Sequence, residues 1–406
     1  MNGKGKRRLK HGDGEPRDPT PYLGVVEDVI EAVPHDPLSR QFLLIDAVRE
    51  DEFIRDSASA AESPDSLALV RIMSTPKRLN DMFGLAEVRP GNWLSFELDN
   101  SGGIPRAWEM RASENYASRR SRSVRGMRRI EASDGAARTS DGDLLTKLID
   151  AAILQAKDSK RESAADAIEQ IGVGGQIEIV VLDVGQASAN LIRRDGQPIG
   201  FFDLGSPLWF NRGSFPIKYG LPALPSGFVI LSHWDFDHFE LGRRNAPYHQ
   251  LRWFAPDQPV GLNTARFQKQ LGHRLTFIDG PAAGGGFRMS RGISKVQNDR
   301  NGTGYLLRYE AEGKTALLTA DASYDNIDPT MLSGVSRLTI PHHGAASTIL
   351  PPPAVPTSRA VASFGLPNKY RHPDPQTLAD HASQKWRIEA TAAFGGRTRG
   401  NKMLFP

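Results

Sequence analysis

The chain has 406 residues, 39% of them hydrophobic and 24% charged, with a formal net charge of +4 and no cysteine. It can therefore form no disulfide and offers no thiolate, and any metal must be held by His, Asp, Glu or Asn. No apolar run approaches the ~18 residues that span a bilayer, and the basic start is not followed by a signal-peptide hydrophobic region, so the sequence predicts a cytoplasmic protein with no membrane contact.

Positive charge is concentrated in two places. Residues 1–20 carry six Lys/Arg against three Asp/Glu, and residues 116–129 carry six Arg and no acid, together +9, which leaves −5 for the rest of the chain. The Gly- and Lys-rich start has almost nothing apolar and predicts a disordered basic tail over 1–20. From Tyr22 onward, strand-like runs recur at 23–30, 42–48, 67–72, 93–98 and 107–111, separated by turns such as Arg89-Pro90-Gly91-Asn92. A short helix is predicted at 77–85. Five strands and one helix predict a small OB-like β-barrel over 21–113, a fold often used to bind single strands or oligosaccharides. Trp93, Phe96 and Trp108 suit either the barrel core or base stacking, and burial tendency favours the core.

The arginines from Arg119 to Arg129 and the Ser/Gly/Ala-rich stretch 131–142 read as a linker, whose charge is either solvated or in contact with a phosphate backbone. Leu144, Leu145, Leu148, Ile149, Ala152, Ile153 and Ala156 then repeat at three- and four-residue spacing. That is the mark of an amphipathic helix. It makes the 143–170 region, within a linker segment spanning 114–175, a candidate surface for a partner protein. From Gln176 strand follows strand: 177–182, 200–203, 228–231, 251–255, 275–278, 304–309, 315–319, 337–340, 360–364 and 387–392. Helices are predicted at 264–271 and 375–385. Many strands with fewer helices between them predict a layered α/β or α+β sandwich over 176–406.

Chemistry gathers at the ends of these strands. The run Phe228-Val229-Ile230-Leu231 leads into Ser232-His233-Trp234-Asp235-Phe236-Asp237-His238, with four metal-competent side chains in six residues. In an extended segment His233, Asp235 and Asp237 point the same way, and His238 can turn to a second position. Asp203 ends one strand, Asp321 another, and the pair His342-His343 a third. His372 lies in Asn368-Lys369-Tyr370-Arg371-His372-Pro373.

Taken in order, Asp-Val-Gly-Gln, Phe-Asp-Leu-Gly, Ser-His-x-Asp-x-Asp-His, Leu-Leu-Thr-Ala-Asp, Pro-His-His-Gly and Asn-x-Tyr-x-His-Pro resemble the metallo-β-lactamase superfamily. Within it, residues 176–406 look like the soluble metal-dependent domain of the ComEC-type DNA-internalisation competence proteins. Residues 22–111 resemble those proteins' OB-like domain more weakly. The resemblance implies an αββα sandwich holding two divalent cations, zinc or manganese, at one edge of facing sheets. His233 and Asp235 would ligate the first cation, and Asp237 and His238 the second. Asp321 would bridge them, with His342 or its neighbour His343 completing the set and Asp203 orienting ligands from behind. The third superfamily His has no clear counterpart, and Asn298, Asp299 or Asn301 could occupy its place. The sequence also departs from the family at Gly185-Gln186-Ala187-Ser188, at Phe239-Glu240-Leu241-Gly242 and at Ala345.

Asp235 standing where most of the superfamily has His makes a harder site, nudging the choice from zinc toward manganese or magnesium. A water shared by two such cations would be deprotonated near neutral pH and placed for attack on phosphorus. His372 or His343 is the candidate to protonate the leaving group, and Asn368, Lys369 and Arg371 are candidates to hold phosphate. The expected function is a metal-dependent phosphodiesterase or nuclease, with nucleic acid delivered as a single strand by the barrel and the Arg119 to Arg129 region. The alternatives are a hydrolase of a small substrate such as a cyclic nucleotide, lactone or thioester, and a nucleic-acid-binding regulatory protein with a non-catalytic metal site.

Overall fold

A computed structural model describes residues 19–31, 36–131, 140–172, 174–217, 219–296 and 298–406. Most of the predicted basic tail, and most of the Ser/Gly/Ala-rich stretch, lie outside the described residues.

The first part is a closed antiparallel barrel of six strands: β1 (Thr20–Glu31), β2 (Gln41–Arg49), β3 (Leu67–Ser74), β4 (Trp93–Asp99), β5 (Arg106–Arg111) and β6 (Arg122–Arg129), in the order β1-β2-β3-β5-β6-β4. Period-two alternation builds its interior. Leu43, Ile45 and Ala47 of β2 and Leu94, Phe96 and Leu98 of β4 all enter the core, so Phe96 is a core residue. Trp93 and Trp108 are half-buried.

The Arg-rich stretch is not a linker, because it contains the strand that closes the barrel. Val124 and Met127 of β6 enter the core, and its arginines find partners on or beside the barrel. Arg125 pairs with Asp99, Arg128 with Asp141 at 2.5 Å, and Arg129 with Glu131 at 3.3 Å. Arg122 is buried and donates to the Leu98 carbonyl. A high density of charge concealed the strand, since the apolar positions are few and each is flanked by a paired guanidinium.

β1 carries one extra residue. Val26 faces Ile45 and Asp28 faces Leu44, which leaves Glu27 unpaired as a β-bulge. A bulge of this kind kinks the strand and re-aims side chains.

The expected helical region 143–170 is instead helix, strand and helix: Ser140–Gln155, then β7 (Lys160–Ser163), then Ala164–Ile171. β7 pairs in parallel with β13 (Leu275–Asp279) at a sheet edge. With it stand β8 (Ile177–Val181), β9 (Ala189–Arg194), β10 (Gln197–Leu204), β11 (Phe228–Ile230), β12 (Arg252–Pro256) and β21 (Lys402–Phe405). The facing sheet runs, in spatial order, β14 (Ala282–Gly284), β15 (Phe287–Arg291), β16 (Tyr305–Ala311), β17 (Lys314–Leu318), β18 (Arg337–Thr339), β19 (Arg359–Ala362) and β20 (Arg387–Ala390). The sequence reading did not anticipate β9, β14, β15 or β21.

Between the sheets lies one apolar layer that includes Phe202, Phe228, Ile230, Phe254, Phe287, Leu307 and Leu318. The helices Phe236–Arg244 and Leu262–Leu271 cover the outside of the first sheet, and Pro375–Ser383 covers the outside of the second. The result is an αββα sandwich preceded by a small barrel. The barrel is packed directly onto it: Leu44, Leu69 and Tyr116 share one buried cluster with Leu148, Phe239 and Phe267. Asp46 of β2 reinforces this joint. Its carboxylate accepts from the Asn263 and Thr264 N–H groups at 3.0 and 3.2 Å, capping a helix whose own first position, Gly261, has no side chain to do so.

Candidate metal centre

The strand Phe228–Ile230 delivers the motif to the sandwich edge, but the segment does not stay extended. A helix begins at Phe236, because Phe236 and Phe239, one turn apart, both need burial in the cluster under the first sheet. Asp237 and His238 therefore lie on the first helical turn, where the N-terminal backbone favours an acid.

Each inward imidazole is aimed by a partner behind it. Asp203 accepts from the Ser232 N–H at 2.8 Å and lies 2.8 Å from His238 Nδ1, so Nδ1–H is directed at Asp203 and Nε2 faces the cluster. His343 Nδ1 donates to the Ser363 carbonyl at 2.7 Å, which leaves its Nε2 inward as well. His233 Nδ1 lies 2.9 Å from Ser232 Oγ. Among the described residues, the Nε2 atoms of His233, His238 and His343 are buried without a hydrogen-bond partner. Buried polar atoms rarely stay unsatisfied, and three converging ones fit a ligand.

The carboxylates converge on the same point. Asp321 Oδ1 lies 3.1 Å from His238 Nε2 and 3.9 Å from His343 Nε2, and Asp237 Oδ2 lies 3.3 Å from His343 Nε2. These separations match ligand atoms arranged around one ion at about 2.0–2.2 Å. Two triads of potential ligand atoms lie within 4.8 Å: His233 with His238 and Asp321, and Asp237 with His238 and His343.

His343 joins this cluster, while His342 stands at its mouth, half-exposed, with Nε2 3.5 Å from the other oxygen of Asp321. The two neighbours share an unusual backbone. Both residues have left-handed φ, 49° and 56°, as do Asp203 and Ala320. Such conformations are costly for non-glycine residues and persist where the surroundings impose them, typically at functional sites.

Asp235 stands beside the cluster rather than in it. Its Oδ1 lies 2.9 Å from Arg300 Nη2 and its Oδ2 lies 3.4 Å from His233 Nε2. Burial would raise this carboxyl, yet Arg300 and His233 bring it down to about 2. Arg300 was missed from sequence. The candidates around it do not reach the cluster: Asp299 accepts from the Gly302 N–H within its own loop, and Asn301 accepts the Gly304 N–H through its carbonyl. Asn298 packs beside Gly91 of the barrel. A lone arginine in a loop has no periodicity to betray it.

The centre opens into a cleft of about 440 Å³, walled on one side by the barrel through Asp28, Glu31 and Glu87. Asp28 is pushed up to about 7, by burial first, with His342 opposing and Asp235 and Asp237 adding to the rise. Tyr370 and Arg371 line the opposite side. Asn368 does not face the substrate space. Its Nδ2 donates to the Gly365 and His372 carbonyls at 2.7 Å each, bracing the loop. Lys369 is exposed, with its backbone N–H given to Asn211. His372 Nδ1 lies 3.1 Å from Gln186 Nε2. Burial, and then His342 and His343, hold the His372 imidazole well below its ordinary value. With Nδ1 facing the Gln186 amide nitrogen, Nε2 is the nitrogen left to carry a hydrogen.

An αββα sandwich with an imidazole and carboxylate cluster at one edge is the class this fold and site define, and it is the architecture the motif resemblance implies. No family model matches the chain, and no curated protein matches it. Among solved structures it is similar to zinc-bound PqqB from Methylobacterium extorquens, at 13% identity over 55% of this chain and 99% of that one, with a TM-score of 0.32. At that score the likeness carries no weight, and the function rests on this chain's own residues. No helix among the described residues is long and apolar enough to cross a membrane.

Proposed function

We propose that the chain is a metal-dependent phosphodiester hydrolase whose substrate is a nucleic acid strand. The observation that supports it most is the gathering of three buried imidazole nitrogens and two carboxylates at the sandwich edge. Asp237, His238, Asp321 and His343 would hold a divalent cation, zinc or manganese, with His233 facing the same space. Such a cation supplies Lewis acidity and acidifies a water near neutral pH. Asp203 holds His238 in the ligating tautomer. Arg371, in the cleft lining, would bind a phosphate oxygen, and His372 would donate a hydrogen bond to the leaving oxygen.

A strand reading is favoured by Tyr370 in the cleft lining, an aromatic face on which an unpaired base can stack. Arg71 of the barrel lies over Phe42 at 3.8 Å, Phe210 at 4.5 Å and Trp108 at 5.6 Å, and Phe210 meets Tyr370 edge-on at 5.6 Å. This guanidinium is buried among aromatic faces, and Phe210 connects the stack to Tyr370 in the cleft lining. A second reading, hydrolysis of a small phosphoester, is favoured by the modest size of the cleft, about 440 Å³.

The test is hydrolysis of bis(p-nitrophenyl) phosphate, single-stranded DNA and single-stranded RNA with added manganese or zinc. Asp237→Ala and His343→Ala should each lower metal-dependent turnover at least ~100-fold. Activity on the small ester but not on either polymer would select the second reading. Absence of metal-dependent turnover on all three would end both.

A further inference from the structure

The sequence resemblance implies two cations, and the structure supplies a reason to count again. This inference rests on the metal-dependent reading above. His238 has one nitrogen to offer, because Nδ1 is engaged by Asp203 at 2.8 Å. A single imidazole nitrogen can ligate only one ion, yet both possible triads need His238. His343 Nε2 links the two carboxylates, 3.3 Å from Asp237 Oδ2 and 3.9 Å from Asp321 Oδ1, and that same Asp321 oxygen lies 3.1 Å from His238 Nε2.

On the side facing the barrel, what remains for another ion is His233 Nε2 and Asp235, while the other oxygen of Asp321 is turned toward His342 Nε2 at 3.5 Å. From the loop that could bring a third ligand comes Arg300 instead, 7% exposed, with its Nη2 2.9 Å from Asp235 Oδ1. The barrel fixes it there from the far side. Glu27 Oε2 lies 2.6 Å from the same nitrogen, and the Glu27 carbonyl accepts from it at 2.9 Å. If the guanidinium swung away, it would forfeit its ion pair with the buried Glu27 and leave Asp235 with His233 alone. A divalent ion placed on Asp235 would sit beside this permanent charge.

We infer that Arg300 takes the place of one metal ion, so that the centre binds a single divalent cation through Asp237, His238, Asp321 and His343. Charge that a second ion would supply is built into the chain as the Arg300 guanidinium of the sandwich loop, which the bulged barrel strand holds in place.

The experiment uses the full chain, stripped by chelator and reloaded with manganese by equilibrium dialysis. Metal content is read by plasma emission and the spin state by electron paramagnetic resonance. Wild type should hold one ion per chain and give the six-line spectrum of an isolated manganese. Arg300→Gln should rise to two ions with an exchange-coupled signal, and Arg300→Lys, which keeps the charge, should stay at one. Two ions in wild type overturn the inference, as does an Arg300→Gln protein that folds by circular dichroism and stays at one. If that variant does not fold, the wild-type count and spectrum decide. A wild type with one ion and no phosphodiester turnover sinks the functional reading alone, whereas one with turnover and two ions sinks this inference alone.

Discussion

His238 depends on where a proton sits. Burial would lower this imidazole, but Asp321 and then Asp203 carry it well above its ordinary value, and Asp321 and Asp237 likewise raise His343 over the effect of burial. A cation taking these nitrogens must expel protons. Metal affinity should therefore climb as pH rises through neutrality, and calorimetry at pH 7 in buffers of different ionisation enthalpy should record proton release. Binding without release would show the imidazoles already bare. The metal-free protein should behave oppositely. Since the folded value of His238 lies above the unfolded ~6.5, its stabilisation is complete below about pH 6.5 and is lost as pH rises through the folded value. Removing the orienting carboxylate with Asp203→Ala should weaken metal affinity about 10–100-fold in a chelator competition. At this scale the sequence was legible where ligands cluster locally, as in the 233–238 run. It could not choose His343 over His342, because the two side chains are adjacent and chemically identical and share the left-handed backbone of the Pro341–Gly344 turn.

Two elements show how local geometry carries the centre. Gly205, just past the end of β10, lies so close to the metal loop that a Cβ there would meet the Asp237 carbonyl oxygen at 1.6 Å. Gly205→Ala should therefore displace the first turn of Phe236–Arg244, costing on the order of 3 kcal/mol of stability together with metal binding. Thermal melts and metal titration of the variant check both effects, and an unchanged metal affinity would mean that the loop tolerates the shift. The capping carboxylate of Asp46 serves a helix 217 positions away in sequence. Asp46→Ala should cost roughly 1–3 kcal/mol in urea unfolding. Neither dependence was readable from sequence, since both rest on approach distances between remote segments. The strands themselves were readable from their period-two apolar runs, and β6 escaped notice because arginines occupy most of its outward positions.

The whole molecule is less divided than its sequence texture suggests. The barrel's outer face, the helix Ser140–Gln155 and the helices beneath the first sheet bury a common apolar cluster, and Tyr116 reaches across to Asn263 at 2.8 Å. Calorimetry should show one cooperative transition, with equal calorimetric and van't Hoff enthalpies, and two resolved peaks would mean that the units unfold separately. The sandwich architecture could be anticipated because each strand that ends in a ligand announces the same sheet edge. The shared cleft could not, because barrel and sandwich meet there through residues distant in the chain.

The bulge in β1 also bears on how such a centre could arise. Because Val26 and Asp28 pair with successive residues of β2, excising Glu27 would restore regular alternation and leave the barrel interior untouched. A one-codon insertion or deletion thus toggles the grip on Arg300 at little structural expense. In chains of common descent, an unbulged first strand and a non-basic residue matching Arg300 should be gained or lost together.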